Sequence, residues 1–176
     1  RAYGLLLAAI QNPDPVLFLE PKRVYRTVKQ DVPDDGVALP LDLCFTVREG
    51  SDITLVTWGA MVTETLAAAE KLSDIGIEAE VIDVATITPL DMDTILKSVE
   101  KTGRCVIIHE APYTGGFGAE IAARLAEKAL LDLLSPVLRV TGYDVIMPTP
   151  RTEYYYYVTE ERIIEAARKT VAFPEI

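Results

Sequence analysis

The feature that most constrains the fold is a regular alternation of short apolar runs and longer amphipathic segments from residue 53 onwards. We predict strands and helices in strict alternation at Ile53–Trp58, Ala60–Leu72, Glu80–Val84, Asp91–Lys101, Cys105–His109, Gly118–Leu131, Val137–Thr141 and Glu160–Val171. Strands separated by helices of ten or more residues are typical of βαβ units. We therefore expect an α/β domain with three layers, in which helices cover both faces of an open, mostly parallel sheet.

The first 46 residues do not continue this pattern. Ala2–Gln11 is predicted to be a helix that ends at a proline-rich turn, and Val16–Leu19 is a short apolar run typical of a buried strand. The stretch after it is polar and contains several prolines. We interpret residues 1–20 as the end of a preceding domain, residues 21–46 as a linker and residues 47–176 as the α/β domain. The chain would then be the second part of a longer polypeptide.

Charge and composition exclude several function classes. The chain has 27 acidic and 17 basic side chains, a formal net charge of −10, which disfavours nucleic acid and anionic membranes as partners. Its longest uninterrupted apolar run, residues 4–10, is far shorter than a membrane span. One histidine and two distant cysteines cannot form a Cys/His zinc site, and the cysteines are expected to be buried thiols.

The strand ends carry the side chains with the clearest chemical potential, because functional groups of parallel sheets gather beyond the carboxyl ends of the strands. His109 and Glu110 end one strand, and the glycine-rich loop Thr114–Gly118 leads into the next helix. One interpretation is that the loop binds an anion and His109 moves protons. The alternative is a histidine hydrogen-bonded to a neighbour, below a tight turn that another subunit approaches closely.

The run Tyr154–Tyr157 is predicted to form an edge strand with two rings packed and two exposed. Taken alone, these residues do not define a reaction, and they include no catalytic residue that we can assign.

Several stretches, in this order, resemble a single family. They are Gly50–Gly59, Glu80–Val84, Thr88–Asp93, Lys97–Arg104, His109–Pro112, Gly115–Ile121, Arg139–Asp144 and Pro148. Together they resemble the β subunit of the thiamine diphosphate-dependent 2-oxo acid dehydrogenases, the decarboxylating component of those complexes. The resemblance covers essentially all 176 residues but only the C-terminal half of such a subunit. It implies a transketolase C-terminal-like domain after a remnant of the pyrimidine-binding domain.

The resemblance implies an α2β2 heterotetramer in which thiamine diphosphate and magnesium lie between the α subunit and the N-terminal part of β. This chain would then hold no catalytic residue and no cofactor ligand, and it would be inactive alone. Its role would be assembly with α and a second β, and docking of the acyltransferase. The protein would be cytoplasmic, or in the mitochondrial matrix of a eukaryote.

Two family sites map onto this chain by resemblance. A structural potassium ion would be bound by the carbonyls of Ala9 and Asn12 and by Asp14, although the same residues also suit a simple helix stop. The basic subunit-binding domain of the acyltransferase would dock at the acidic C-terminal end, Glu175 and Ile176. The chain departs from the family pattern at residues 134–136, where an acidic residue often precedes Ala-Pro.

The substrate branch is less constrained by the sequence. His109–Pro112 followed by Gly115–Phe117 favours a branched-chain 2-oxo acid dehydrogenase. A pyruvate or acetoin dehydrogenase β subunit, or the C-terminal domain of another transketolase-superfamily enzyme, remains the alternative.

Overall fold

The computed structural model describes residues 1–27 and 29–174, and it has one five-stranded sheet covered by helices. The strands are β1 (Phe45–Arg48), β2 (Ile53–Thr57), β3 (Ala79–Asp83), β4 (Cys105–Pro112) and β5 (Leu138–Gly142). The helices are α1 (Ala2–Gln11), α2 (Val24–Thr27), α3 (Met61–Ser73), α4 (Met92–Thr102), α5 (Gly118–Lys128) and α6 (Glu160–Val171). All eight elements of the predicted alternation are present.

The strand order is β1-β3-β2-β4-β5, and every pair is parallel except β1 with β3. This confirms the predicted open, mostly parallel sheet. The antiparallel edge strand β1 was not predicted. It begins at Phe45, two residues before the predicted start of the domain, and a register shift between Thr46 and Arg48 interrupts its pairing.

The core lies on both faces of the sheet, because successive side chains of a strand point to opposite sides. Leu55 and Ile108 pack in one buried cluster with Leu72 of α3 and Ile163 of α6. Ile107 of β4 belongs to a second cluster, formed with helices α4 and α5. The predicted three layers are therefore confirmed. All ten residues of β2 and β3 are buried, as expected for strands covered on both sides.

Two predicted strands are wrong. Val16–Leu19 pairs with no strand among residues 1–27 and 29–174, and Leu17 and Leu19 are 84% and 78% exposed, since no described strand lies beside it. Tyr154–Tyr157 overlaps a turn of 3-10 helix at Glu153–Tyr155 instead of an edge strand. The expected division of the four rings holds, since two are exposed and two are half-buried.

The N-terminal segment lies against the carboxyl edge of the sheet. The guanidinium of Arg1 is 3.2 Å from the carboxylate of Asp83 at the end of β3, and Arg23 pairs with Glu64 of α3 at 2.6 Å. The Leu39 N–H donates to the carbonyl of Gly4 at 3.0 Å. Contacts of the first 43 residues therefore reach the edge where the strand-end residues lie. Within residues 1–27 and 29–174, no helix has the length and apolar character needed to cross a bilayer.

Candidate functional site

His109 lies at the centre of an aromatic cluster at the carboxyl edge of the sheet. Its ring stacks on that of Trp58, which follows β2, with centroids 5.2 Å apart and planes 14° from parallel. Phe117 contacts the same indole edge-on at 5.9 Å. The cluster therefore joins the ends of two neighbouring strands to the start of α5.

The glycines of the β4–α5 loop make room for this imidazole. A Cβ atom on Gly116 would lie 2.5 Å from Cε1 of His109, and one on Gly118 would lie 2.5 Å from its Nε2. Both distances are too short for any side chain. Within the chain, the glycine backbone of this loop therefore lies directly against His109.

The His109 ring is sealed from solvent. The residue is 1% exposed, and neither ring nitrogen has a hydrogen-bond partner among the described residues, so the hydrogen bond expected in one interpretation is not present. Burial lowers the pKa of His109, and the positive charge of Arg139 lowers it further. The polar backbone at Ala111 has a smaller effect in the opposite direction. A ring enclosed in this way packs against the edge of the sheet.

This burial predicts a pH dependence of stability. Because the pKa of His109 in the fold lies below its ordinary value of 6.5, the unfolded chain takes up the proton first as the pH falls. Stability should therefore decrease as the pH drops below about 6.5 and be fully recovered above it. Urea unfolding of the wild type and of His109→Gln between pH 5 and 8 measures the difference. Parallel pH profiles for the two proteins would contradict the assignment.

Two residue pairs hold the outside of the same loop in place. The N–H and the hydroxyl of Thr114 donate to the two carboxylate oxygens of Asp144, at 2.8 and 2.7 Å. These bonds, the backbone one first, lower the pKa of Asp144. Arg139 of β5 donates to the Tyr113 carbonyl at 2.9 Å, and its guanidinium lies 3.7 Å from the Tyr113 ring centroid.

The sequence alone did not predict the pairing of Thr114 with Asp144. Thr114 and Asp144 are 30 residues apart in sequence, and the one available signal was that both follow strands that are adjacent in the sheet.

Glu110, the partner of His109 in the predicted strand-end group, faces the other way. It is exposed, while His109 is buried, because the covered part of β4 ends at His109 and the last three residues of the strand, Glu110–Pro112, are all exposed. The two side chains, although adjacent in sequence, therefore lie in different surroundings.

The residues proposed for potassium lie together at the end of α1. The Asp14 N–H donates to Oδ1 of Asn12 at 2.9 Å, which closes a tight turn. Pro13 has no N–H to donate to the carbonyl of Ala9, so this oxygen lacks its helical partner. Ala9, Asn12 and Asp14 thus offer oxygen atoms only, which suits a hard cation.

The remaining candidate groups are placed as follows. Across the described part of the chain, no three His, Cys, Asp or Glu side chains are grouped so as to hold a metal ion. Cys44 and Cys105 are free and buried, and burial is the first cause that raises the pKa of each thiol to about 12. Glu175 and Ile176, the proposed docking residues, lie outside the described residues.

Comparison with known families identifies the class of domain that this sheet and its strand-end cluster define. A model of the family described as "Transketolase, C-terminal domain" matches residues 44–163. The chain belongs to this family. A solved split-gene transketolase, titled an inactive β4 tetramer, has the same fold, with a TM-score of 0.70 and 28% identity over 82% of this chain and 46% of that chain.

Within this class the chain is similar to β subunits of 2-oxo acid dehydrogenases. It is 42% identical to the pyruvate dehydrogenase E1 component subunit beta of Bacillus subtilis (strain 168), over 98% of the chain and 53% of that protein. It is 48% identical to the mitochondrial 2-oxoisovalerate dehydrogenase subunit beta 2 of Arabidopsis thaliana, over 98% of the chain and 48% of that protein. The chain thus spans about half the length of these curated relatives and corresponds to their C-terminal half.

Proposed function

We propose that this chain is the C-terminal part of the β subunit of a thiamine diphosphate-dependent 2-oxo acid dehydrogenase. Such an enzyme decarboxylates a 2-oxo acid and passes the acyl group to a lipoyl-bearing acyltransferase, in the cytoplasm or the mitochondrial matrix. The observation that carries the proposal is the similarity over 98% of the chain to two β subunits, at 42% and 48% identity. A domain boundary near residue 47 belongs to the same proposal.

In this proposal the chain serves to assemble the subunits, and the thiamine chemistry takes place between the α subunit and the N-terminal part of β. The enclosed position of His109 supports the division, because a ring that is 1% exposed and packed against Trp58 is suited to a structural role. Exposed Leu17 and Leu19 support a contact with further protein, since neighbouring apolar side chains in water are typical of interaction surfaces. The partners proposed are an α subunit and a second β subunit.

The proposed substrate is a branched-chain 2-oxo acid. The segment His109–Pro112 with its following glycine loop supports this choice, as does the 48% identity to the 2-oxoisovalerate relative. Pyruvate is the competing substrate, because the bacterial relatives named for it are 41% to 44% identical.

Two binding sites complete the proposal. Potassium would bind at Ala9, Asn12 and Asp14, supported by the carbonyl of Ala9 that has no helical donor. A higher melting temperature in potassium chloride than in sodium chloride of equal ionic strength would support this site, and equal values would speak against it. The acyltransferase would dock through basic side chains on the C-terminal end at Glu175 and Ile176, drawn by the net charge of −10.

A chimera tests the proposed function. We expect the chain alone, with thiamine diphosphate and magnesium, to release no carbon dioxide from 2-oxoisovalerate or pyruvate. Joined to the N-terminal half of the Arabidopsis β subunit and mixed with the matching α subunit, it should support decarboxylation, with 2-oxoisovalerate the faster substrate. The matched control is the N-terminal half alone with α. Turnover by the chain alone, or no turnover by a folded chimera that binds α, would contradict the proposal.

A further inference from the structure

A small cavity opens at the carboxyl edge of the sheet, beside the His109 cluster. Its volume is about 220 Å3, and it is lined by Glu110, Met147, Tyr156, Tyr157 and Val158. Glu110 comes from the exposed end of β4, and the tyrosines come from the segment that leads into α6. The lining therefore combines one carboxylate with two phenol rings and a thioether.

The walls of this cavity are built by close packing. A Cβ atom on Gly142 would lie 2.6 Å from the hydroxyl oxygen of Tyr156 and 2.7 Å from the carbonyl oxygen of Glu110, so only glycine fits between them. The Tyr143 ring holds Tyr156 from the side, edge to face, with centroids 6.2 Å apart. The Tyr156 ring is thus fixed on the end of β5.

Glu110 supplies the one carboxylate of the cavity lining, and it is exposed. It forms no ion pair with any residue in 1–27 or 29–174, and Arg23 is already paired with Glu64. The neighbouring guanidinium of Arg162 keeps its charge but donates to the carbonyls of Tyr157 and Thr141, at 3.0 and 2.7 Å, and not to Glu110.

The ionisation of Tyr157 is influenced by two carboxylates. Burial raises the pKa of the Tyr157 phenol, Glu153 and Glu110 add to the shift, and Arg23 opposes it. The contributions of Glu153 and Glu110 indicate that both carboxylates lie near this phenol.

We propose that this cavity binds the guanidinium group of an arginine side chain presented by a partner protein. A planar guanidinium can stack on a tyrosine face and donate two hydrogen bonds to a carboxylate such as Glu110, which an ammonium cannot do in the same way. At the same edge of the sheet, a guanidinium lies over a tyrosine ring in two places. Arg139 lies 3.7 Å from the Tyr113 centroid and Arg162 lies 4.6 Å from the Tyr143 centroid.

A protein is the better source of the guanidinium than free arginine. Free arginine would bring a strongly hydrated zwitterionic head group to the cavity mouth, whereas a side chain on a protein brings only its guanidinium and neutral backbone. Next to the cavity, Val145 and Ile146 are 61% and 95% exposed, and a partner surface would cover them. This contact would be additional to those of the proposed assembly with an α subunit and a second β subunit.

Titration of the complete 176-residue chain with N-acetyl-arginine amide, followed by 15N NMR, tests the site. We expect saturable shifts at Glu110, Tyr156 and Tyr157, and none with the uncharged N-acetyl-citrulline amide. Glu110→Gln should weaken binding about fivefold, the size of one exposed charge pair. Glu127→Gln, a change at an exposed glutamate of α5, should leave binding unchanged. Tyr157→Leu keeps the carboxylate but removes one ring and should also weaken binding.

Several results would overturn the proposal. Equal binding by the citrulline or N-acetyl-lysine amide would show that the guanidinium is not recognised. Unchanged affinity in Glu110→Gln would show that the carboxylate does not take part in binding. Free arginine binding as tightly as the amide would indicate a small-molecule site instead of a protein contact. None of these measurements needs an α subunit or thiamine diphosphate, so their failure is distinguishable from failure of the proposed function.

Discussion

Replacing Gly118 with alanine is expected to lower the free energy of unfolding by about 2 kcal/mol. The new Cβ would lie 2.5 and 2.6 Å from two ring atoms of His109 and 3.1 Å from a methyl group of Ile107. The imidazole cannot move away, because Trp58 stacks on its other face. The better helix propensity of alanine, worth up to about 1 kcal/mol, offsets only part of this clash. Urea unfolding of both proteins measures the change.

The control for this prediction is a second variant, His109→Ala, which removes the ring. Gly118→Ala should cost much less in that background, since the two residues are in direct contact. Gly115→Ala is the comparison at a neighbouring glycine. Gly115 has a φ of +75° and no atom near its Cβ position, so its cost is backbone strain and should not change when His109 is removed. Equal costs of Gly118→Ala in both backgrounds would contradict the packing role of the glycine.

Replacing Lys101 with methionine is expected to destabilise the domain by about 2–3 kcal/mol at pH 7. Lys101 forms an ion pair with Glu80, which is only 3% exposed. The variant would leave the buried carboxylate of Glu80 without this partner. Burial raises the pKa of Glu80, but hydrogen bonds from Lys101 and Ser98 outweigh it and hold the pKa below its usual value. In the variant the hydrogen bond from Lys101 is lost, so burial should raise the pKa of Glu80 above its value in the wild type.

The loss should therefore depend on pH. In the wild type the contribution of Glu80 is present above its ordinary pKa of 4.5 and is lost as the pH falls through the lower pKa of the fold. In Lys101→Met the carboxyl can be protonated, so the difference between the proteins should shrink between pH 7 and pH 4. Glu49→Gln is the matched control. Glu49 is the 83% exposed second partner of Lys101, and its loss should change stability by less than about 0.5 kcal/mol. A Lys101→Met loss no larger than that of the control would contradict the prediction.

The central fold was predictable because its signals are local. Apolar runs and helical periodicity placed β2 to β5 and α3 to α6 within a few residues, and Asp91 and Thr159 cap α4 and α6 as short polar residues do. The strand predicted at Val16–Leu19 failed because an apolar run forms a strand only where another strand pairs with it. The edge strand β1 was missed because it is only four residues long and its pairing partners, in β3, lie more than 30 positions away in the sequence.

The candidate site was predictable in position but not in chemistry. The rule that side chains gather at the carboxyl ends of parallel strands placed His109 and Glu110 correctly at that edge. The surroundings of His109 are set by Trp58, 51 positions away in the sequence, and by loop glycines that lack a Cβ atom and so leave room for the ring. A sequence pattern gives the type of these residues but not the distances between them.

Calorimetric titration tests most directly the claim that this chain is an assembly and docking segment that does not hold the cofactor. The chain would be titrated first with thiamine diphosphate and magnesium, and then with the subunit-binding domain of a 2-oxo acid dehydrogenase acyltransferase. We predict no saturable heat in the first titration and binding in the second that weakens as salt is added. Saturable binding of thiamine diphosphate by the chain alone would contradict the account.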